Sequence, residues 1–406
     1  MTLEKIINGI KKAACITLAT IALAGIKEGR AQETNFGYEI IKIEVPDNSY
    51  SEAVGINNLG EVVGNSIYHS GHSITKYIPF LYTNGAAQFI VPDKFKEIFG
   101  EDFSAEAVGI NDERRMLINA GAKQFPIHPI HDRSFIYNLN NGELIELPFK
   151  GVAINNRGEV VGKRHLLRNG QVIDIGLSPV FDCREPLLDV TIYGINENTQ
   201  IVGEVILEKE DSNWPFIWEN GLIYLLQRNP WYVYNPSFCF ASSINNKGQI
   251  AGCLGYDRGE YYNFFSCKWV EYEVTYPGPK KNIEQLDSFN SIANAINEEE
   301  QIVGSRYGAI LYQKGRIINL NDFLLENSGF WYLLRAIDIN NEGLIVGDGW
   351  PGKLGLPTPP LERYYKYFSS PFLAKPLKEP SADINKDGIV NLCDLSELAE
   401  HWLEER

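Results

Sequence analysis

One pattern recurs seven times along the chain and constrains the fold more than any other feature. It joins an alternating apolar segment, an Ile-Asn pair, a short turn and a second alternating segment, which in most copies ends in glycine. Successive Ile-Asn pairs lie 54, 44, 41, 49, 52 and 43 residues apart, a mean of about 47. This period is typical of β-propeller blades. The copies are AVGINNLGEVVG (53–64), AVGINDERRMLI (107–118), GVAINNRGEVVG (151–162), IYGINENTQIVG (192–203), SSINNKGQIAG (242–252), NAINEEEQIVG (294–304) and IDINNEGLIVG (337–347).

A second pattern follows each hairpin and predicts two further strands per unit. It is a strand, an Asn-Gly type of turn and a strand, as in PFLYTNGAAQFIV (79–91) and PFIWENGLIYLL (215–226). The last copy is clipped to PFLA (371–374), whereas a spare strand, YEIIKIEV (38–45), precedes the first hairpin. We therefore predict an all-β, seven-bladed propeller over 38–374, closed by the N-terminal strand so that no sheet edge is exposed. An open sandwich or a solenoid is the alternative, since no blade carries a signature as distinctive as a WD dipeptide.

The polar and glycine residues of the repeat are interpreted as structural. The turn asparagines are expected to bond their own backbone, and the closing glycines to lie where crowding near a central axis excludes a side chain. The second unit departs from the pattern, because it lacks the closing glycine and carries Arg114 and Arg115 in its turn. The asparagines are Asn57, Asn155, Asn196, Asn245, Asn297 and Asn340, and the glycines are Gly64, Gly162, Gly203, Gly252, Gly304 and Gly347.

These repeats resemble the HAF family of extracellular repeats, whose pattern couples "aIN..G.vvG" to "aflw..G". The resemblance covers residues 38–374. It implies an exported location and names no activity.

The first 31 residues also indicate export. Lys5, Lys11 and Lys12 form a positive region, and an apolar run of fourteen residues follows over 13–26. That run is shorter than the ~20 residues of a membrane span and suits a signal peptide over 1–31. A buried or anchoring N-terminal helix is the alternative. We expect an exported bacterial protein that is secreted or held at the cell surface.

The C-terminal segment DINKDGIVNLCD (383–394) has the ligand spacing of a calcium loop. Calcium takes oxygen ligands at positions 1, 3, 5, 7, 9 and 12 of such a loop, with glycine at position 6, here Gly388. An amphipathic helix is predicted to follow from Leu395, and a solvated acidic turn before that helix is the alternative. The predicted Ca²⁺ ligands are Asp383, Asn385, Asp387, the carbonyl of Ile389, Asn391 and Asp394.

This loop and helix (383–406), preceded by a Pro-containing linker over 375–382, resemble half of a type I dockerin. The resemblance implies docking to a cohesin-like or envelope protein. A full dockerin carries two such repeats, and no second one is found upstream, which is a departure from the family's pattern. Asp394 also replaces the usual glutamate.

Composition and motifs restrict the remaining function classes. The net charge of −15, without a basic stripe, argues against nucleic acid as a partner. No nucleophile elbow, HExxH motif or phosphate-binding glycine loop is present. The HPIH segment (128–131) lacks a third ligand at a useful spacing for zinc, and any catalytic carboxylates meet only in the fold. A disulfide among Cys239, Cys253 and Cys267 fits their spacing of fourteen but is not required by it.

Aromatic clusters at 229–240, 257–265, 329–334 and 347–368 are predicted to lie at the propeller rims. They suit either stacking on sugar rings or packing of the rim. We therefore expect a secreted binding or structural protein, with the propeller as recognition surface and the calcium module as attachment tag. A secreted carbohydrate-active hydrolase and a purely structural envelope protein are the alternatives, so enzymatic activity stays open and no catalytic residue is assigned.

Overall fold

The computed structural model contains seven four-stranded antiparallel sheets, which are the seven blades of a β-propeller. It describes residues 37–46, 50–70, 73–122, 131–181, 187–208, 213–226, 238–257, 262–273, 280–286, 291–352 and 369–377. Residues 39–375 form one compact unit, the propeller. Residues 1–38 and 376–406 form a second unit, which lies almost wholly outside the described residues. Among the described residues, no helix has the length and apolar composition needed to cross a membrane.

The first six blades take their strands in chain order. After β1 (Tyr38–Lys42), blade 1 holds β2 (Tyr50–Ile56), β3 (Val62–Ser70), β4 (Ser73–Thr83) and β5 (Ala86–Phe89), and blade 2 holds β6 (Phe103–Ile110), β7 (Arg115–Ala122), β8 (Arg133–Asn138) and β9 (Leu144–Leu147). Blade 3 holds β10 (Ala153–Ile154), β11 (Val160–Gly162), β12 (His165–Arg168) and β13 (Gln171–Asp174), and blade 4 holds β14 (Leu187–Ile195), β15 (Ile201–Leu207), β16 (Asn213–Glu219) and β17 (Leu222–Leu225). Blade 5 holds β18 (Phe238–Ile244), β19 (Ile250–Asp257), β20 (Tyr262–Glu273) and β21 (Lys280–Gln285), and blade 6 holds β22 (Ile292–Ile296), β23 (Ile302–Ser305), β24 (Ala309–Gln313) and β25 (Arg316–Asn319).

The seventh blade closes the ring. It takes β26 (Phe330–Ile339), β27 (Ile345–Pro351) and β28 (Ser370–Pro376) from the end of the propeller, and β1 pairs with β28 as its outer strand. The backbone N–H of Ile43, just after β1, donates to the carbonyl oxygen of Pro371 at 3.0 Å. The predicted seven-bladed fold is confirmed, including its closing strand. Among the described residues, the α-helix α1 (Asp93–Phe99) and the 3-10 helices Ile175–Leu177 and Leu320–Phe323 lie in loops between blades.

The apolar core lies between neighbouring blades. One cluster joins Val202 and Ile217 of blade 4 to Ile250 and Trp269 of blade 5, all fully buried. A second joins Val63 and Leu81 of blade 1 to strands of blade 2. Each sheet therefore buries its faces against the sheets beside it, which is why the strands alternate in hydrophobicity.

The closing glycines are crowded, but the crowding comes from within the blade and not from the central axis. A Cβ on Gly64 would lie 2.2 Å from the carbonyl oxygen of Glu52 on β2 and 2.4 Å from the Phe80 ring on β4. The same first-strand oxygen approaches the equivalent glycines of blades 3 to 7, at 1.9 to 2.2 Å from such a Cβ. A register shift in the first strand accompanies this approach in blade 1, between Ala53 and Gly55. The glycine thus lets the inner strand bulge toward its neighbour.

Candidate functional site

The first strand of every blade lines the central channel, and each Ile-Asn turn lies at one of its two mouths. Seven asparagines, one per blade, close this mouth in a ring of hydrogen bonds. Each side-chain Nδ2 donates to the main-chain oxygen of the asparagine in the next blade, at 2.9 to 3.2 Å, and the seventh bond returns to the first blade. We call this set the asparagine ring: Asn57, Asn111, Asn155, Asn196, Asn245, Asn297 and Asn340.

The side-chain oxygen of these asparagines accepts hydrogen bonds from backbone N–H groups within the same hairpin turn. The Oδ1 of Asn57 accepts from the backbone N–H groups of Leu59 and Glu61, at 3.1 and 2.9 Å. This confirms the predicted bond of the asparagine to its own turn, and Asn111 makes it too, to Arg115 N at 2.8 Å. One side chain therefore shapes its turn with its oxygen and joins two blades with its nitrogen.

A second ring surrounds the first. The residue after each asparagine donates its backbone N–H to a side-chain oxygen of the equivalent residue in the next blade, at 2.7 to 3.1 Å. All seven positions carry a side chain with an acceptor oxygen: Asn58, Asp112, Asn156, Glu197, Asn246, Glu298 and Asn341. Because these oxygens are engaged in the ring, the mouth, a cavity of about 220 Å³, is a structural closure.

Asp338 lies in the wall of the channel beyond the asparagine ring. A cavity of about 280 Å³ there is lined by the first strands, and Asp338 is the only carboxylate among its described lining residues. Its Oδ2 accepts from Ile56 N of the next blade at 3.0 Å, and its Oδ1 accepts from Ile339 N at 2.9 Å. Burial raises the pKa of Asp338 to about 6, although both hydrogen bonds oppose the change. The other blades have glycine, alanine or serine at this position.

Four charged residues lie side by side on the first strands or, in blade 3, just before the first strand, each four residues before the Ile of an Ile-Asn pair. They are Arg335, Glu52, Glu106 and Lys150, from blades 7, 1, 2 and 3, and we call them the charged arc. Since the asparagine ring is at the C-terminal end of these strands, the arc lies toward the opposite mouth, about 13 Å along the strand. The same position in blades 4 to 6 holds Thr191, Phe240 and Ile292.

The backbone of the arc is held by polar residues of the preceding blade. Asp348 of β27 accepts from Ala53 N at 3.0 Å, which fixes the residue after Glu52. Asn65 of β3 accepts from Ala107 N at 2.7 Å, directly after Glu106. Asn119 of β7 donates to the Gly151 carbonyl oxygen at 3.2 Å, directly after Lys150. The second strands therefore position the arc before any ligand arrives.

Glu52 lies in surroundings that favour its neutral form. Its side chain is 30% exposed, and its carboxyl group lies 3.7 Å from Arg335 Nη2. That guanidinium is bound more closely to Asp348, at 2.8 Å. Burial and the negative charge of Asp348 raise the pKa of Glu52 to about 7, against the opposing effects of Arg335 and Asn65. Glu52 is therefore a carboxyl group that carries a proton near neutral pH for a substantial part of the time.

Glu106 lies in surroundings that favour its ionised form. Its Oε2 contacts His131 Nδ1 at 3.2 Å, and its Oε1 contacts Lys150 Nζ at 3.5 Å. His131 is buried and held from its other side by Ser104 Oγ, at 2.9 Å from Nε2. Burial by itself would raise the pKa of Glu106, but the contacts with His131, Lys150 and Asn119 keep it below its usual range.

The phenol of Tyr77 lies close enough to both Glu52 and Glu106 for their negative charges to affect its pKa. Burial, together with the negative charges of Glu52 and Glu106, raises the pKa of this phenol to about 12. Its ring packs edge-on against His131, with centroids 5.5 Å apart. The phenol is therefore a neutral hydrogen-bonding group in the field of both carboxyl groups.

Three aromatic residues lie on blade 7, near the start of the strand that carries Arg335. The rings of Trp331 and Trp350 are stacked, with centroids 4.8 Å apart and planes 15° from parallel. Tyr332 packs against both, at 6.0 and 5.7 Å. We call these residues the aromatic stack. Two of the rim clusters predicted from the sequence, at 329–334 and 347–368, therefore meet through their described residues.

The other predicted site residues have different outcomes. The calcium ligands Asp383, Asn385, Asp387, Ile389, Asn391 and Asp394 lie outside the described residues, as does His128 of the HPIH segment. In the part of the chain that is described, no three His, Cys, Asp or Glu side chains are grouped as a metal site. His131 contacts Glu106 instead.

The three cysteines predicted to meet do lie on adjacent strands, β18, β19 and β20, and all are fully buried. None of the three is in a disulfide. Burial raises the pKa of the Cys253 thiol to about 12, so these thiols behave as buried apolar groups.

Sequence reasoning did not identify the charged arc. A signal was present: at the fourth residue before each Ile-Asn pair, four consecutive units in cyclic order carry a charge, and the other three do not. The cyclic order of the blades is what makes Arg335 a neighbour of Glu52, 283 residues away.

No family model matches this chain, and no curated protein is similar to it. Solved structures with some likeness include a fungal alcohol oxidase of the AA5 family in complex with copper (TM-score 0.43, 11% identity, 86% of this chain and 78% of the other). A second is the β-propeller domain of the Trilobed protease from Pyrococcus furiosus, with a TM-score of 0.30 and 11% identity over 68% of this chain and 99% of the other. A third is the GH93 α-L-arabinofuranosidase of Fusarium graminearum with arabinobiose, with a TM-score of 0.35 and 11% identity over 83% of this chain and 97% of the other. At these TM-scores, none of them bears on the function of this protein.

Proposed function

We propose that this protein is an exported recognition propeller that binds a neutral, hydroxyl-rich ligand, a polysaccharide, at the charged arc. The C-terminal segment would act as a calcium-dependent attachment tag. The observation that carries the binding proposal is the charged arc itself, with four charged side chains on adjacent blades and their backbone fixed by the preceding blade.

The arrangement of charges favours a neutral ligand. Arg335 lies between the carboxyl groups of Asp348 and Glu52, and Lys150 lies beside Glu106. These charges offset one another in pairs, so the arc offers donors and acceptors without a strong field of one sign. Hydroxyl groups can accept from the cations and donate to the carboxylates, and sugars carry many hydroxyl groups at fixed spacing.

The aromatic stack supports the same ligand class. Trp331 lies four residues before Arg335 on β26, which is about 13 Å along the strand. The flat face of an indole suits the apolar face of a sugar ring, while the arc would bind its hydroxyl groups. A chain of several sugar units is long enough to contact both.

Binding is tested with the full chain on a panel of neutral and acidic polysaccharides by isothermal titration calorimetry. We expect Arg335→Ala to weaken binding of a neutral glycan about tenfold or more, since a charged hydrogen-bonding group is lost. Arg157→Ala is the matched control, because Arg157 is exposed in a turn at the asparagine-ring mouth. Equal binding by both variants would contradict placement of the ligand at the arc, and binding of no glycan would favour a purely structural envelope role.

The attachment proposal concerns residues 383–394. Its support is the complete set of oxygen ligands at the spacing of a calcium loop and the proline-containing segment that separates it from the propeller. An affinity capture from an envelope fraction, with and without calcium, beside Asp387→Ala, tests it. Calcium-dependent capture of a cohesin-like or envelope protein is expected, and equal capture under all conditions would contradict the tag.

Hydrolysis of the bound polysaccharide is a second candidate function. One observation favours it: two neighbouring carboxyl groups in the arc have pKa values shifted in opposite directions. Release of reducing ends from a bound polysaccharide would distinguish this function from binding alone.

A further inference from the structure

We propose that Glu52 and Glu106 are a catalytic pair that cleaves a glycosidic bond of a neutral saccharide, with Glu52 as proton donor and Glu106 as nucleophile. The assignment rests on the proposed binding of a saccharide at the charged arc.

The placement of the two residues comes from the propeller itself. They occupy the same position of the repeat in adjacent blades, on the first strands β2 and β6, so they lie at one level of the channel. Each is paired across its blade with an asparagine of the second strand, Glu52 with Asn65 and Glu106 with Asn119. Both side chains keep partial access to solvent, at 30% and 26% exposure, as side chains that meet a substrate must.

The groups that face each carboxyl differ, and they support different roles. Glu52 faces Arg335, Asp348, Asn65, Tyr77 and the Glu106 carboxylate. Arg335 is engaged mainly by Asp348, with its Nε and Nη2 at 3.0 and 2.8 Å from one carboxylate oxygen. Glu52 therefore shares Arg335 with Asp348, which binds it more closely, and burial together with the nearby Asp348 favours the protonated form of Glu52. This is the state a general acid needs.

Glu106 faces His131, Lys150, Asn119, Tyr77 and Glu52. Both of its oxygens have partners, because His131 contacts Oε2 and both Lys150 and Asn119 contact Oε1. A carboxylate held ionised in this way is a weak base, and it is well suited to attack an electron-poor carbon. His131 and Asn119 are positioning residues in this scheme.

The roles proposed for the two carboxyl groups define a double displacement. In the first step, a Glu106 oxygen forms a bond to the anomeric carbon while the bond from that carbon to the leaving oxygen breaks, and Glu52 transfers its proton to the leaving oxygen. In the second step, Glu52, now ionised, takes a proton from water. The water oxygen bonds to the anomeric carbon as the bond to Glu106 breaks. Glu52 ends protonated, Glu106 ends ionised, and one water is consumed.

The test uses the full chain with two sets of probes: neutral polysaccharides, and 2,4-dinitrophenyl and 4-methylumbelliferyl glycosides of neutral hexoses and pentoses. We expect turnover by the wild type, and a loss of about 10²-fold or more in kcat/KM on polysaccharide for Glu52→Gln and Glu106→Gln. Glu299→Gln is the matched control, since Glu299 is exposed in a turn at the asparagine-ring mouth. Its activity should equal that of the wild type.

Two further measurements separate the roles from a structural effect. Glu52→Gln should keep most of its kcat/KM on dinitrophenyl glycosides, because kcat/KM reports only the first step and that leaving group needs no proton. On polysaccharide its kcat/KM should lose the alkaline limb of the pH profile near pH 7. Glu106→Ala should recover activity when azide is added as an external nucleophile. Uniform loss on all glycosides in Glu52→Gln, or no rescue of Glu106→Ala by azide, would overturn the assigned roles.

Calorimetric binding of the polysaccharide to the same variants distinguishes the two proposals. Saccharide binding without turnover of any probe by the wild type would overturn the catalytic pair and leave the binding function standing. Absence of both binding and turnover would overturn both. Retained binding with lost turnover in the glutamine variants, with thermal unfolding unchanged, is the result expected for a catalytic pair.

Discussion

At the scale of single residues, most of the repeat pattern reflects local geometry. The closing glycines are needed because the first strand bulges toward the second, and its carbonyl oxygen occupies the space of a side chain. Blade 2 has Ile118 in place of this glycine. Ile118 pairs with Ala107 of the first strand and is fully buried. The charged arc belongs to the same bulged segment, because the oxygen that approaches Gly64 is that of Glu52.

We predict that Gly203→Ala destabilises the protein by about 3 kcal/mol, the upper end of the usual cost of overpacking, since the added Cβ meets backbone that cannot move aside easily. The added Cβ would lie 2.0 Å from the Thr191 carbonyl oxygen and 2.9 Å from the Phe216 ring. Gly109→Ala is the matched control in a first strand, where no atom lies within 4 Å of the new Cβ. Urea unfolding measures both, and an equal effect of the two substitutions would contradict this account.

Asp338 should make stability depend on pH. Its pKa in the folded protein is raised from 3.8 to about 6, so the folded state binds the proton more tightly than the unfolded state does. Wild-type stability therefore falls as pH rises through this window. Relative to the wild type, Asp338→Ala should gain about 2 kcal/mol between pH 4 and pH 7, by denaturant unfolding at each pH. A difference that stays constant with pH, as expected for the exposed control Glu299→Gln, would refute this.

At the scale of the elements, the hairpin turn is both a local turn and the connection between blades. Its asparagine uses the oxygen within the turn and the amide nitrogen across to the next blade. Positive φ is needed at one residue of each turn, and Arg114, Thr199 and Glu300 adopt it where glycine is absent. Arg114 also binds Glu61 of the preceding blade at 3.0 Å, so the departure seen in the second unit adds a contact between blades.

Asn245→Asp should separate these two roles. The oxygen that accepts from Gln249 N remains, but the group that donates to Gln249 Oε1 and to the Asn297 carbonyl is replaced by a carboxylate oxygen. A buried charge facing two acceptors should cost about 3 kcal/mol in the free energy of unfolding. In the outer ring, Asn341→Ala should cost about 1 kcal/mol, since that site is exposed. Similar losses for both in urea unfolding would contradict a special role of the asparagine ring.

At the scale of the whole molecule, the ring is closed twice. Blade 7 combines β1 with β26 to β28, and the asparagine ring runs from Asn340 back to Asn57. Both closures join residues from opposite ends of the propeller. Together they bring Arg335 and Asp348 beside Glu52, so the charged arc exists only in the closed ring.

Ile43→Pro should therefore weaken the closure and the arc together. It removes the N–H that donates to the Pro371 carbonyl, and it removes a side chain that is 1% exposed in the core. We expect a loss of about 3 kcal/mol or more and a tendency to associate through the exposed edge of β28. Ile43→Val, expected to cost about 1 kcal/mol, is the control. Light scattering and urea unfolding measure both effects, and a monomeric, fully stable Ile43→Pro protein would contradict this view of the closure.

The repeat period and the turn chemistry are local signals, and these determined the blade count, the four strands per blade and the N-terminal closing strand. They were sufficient because hydrophobic alternation and Asn-Gly turns act over a few residues, and because a clipped last unit with a spare first strand has few ways to pair. The asparagines were correctly assigned to their turns for the same reason. Their bonds to the next blade were not predicted, since they join residues 41 to 54 positions apart, and 283 for the last pair.

The candidate site was decided only by the tertiary structure. Glu52 and Glu106 are two among 52 acidic residues in the sequence, and both begin the same six residues, EAVGIN, so the local sequence gives no reason for them to ionise differently. Their opposite pKa shifts come from partners on other strands and other blades: Asp348 beside Glu52, and His131 and Lys150 beside Glu106. Strand patterns depend on nearest neighbours along the chain, whereas burial and electrostatic interactions depend on neighbours in space, and here only closure of the ring brings those neighbours together.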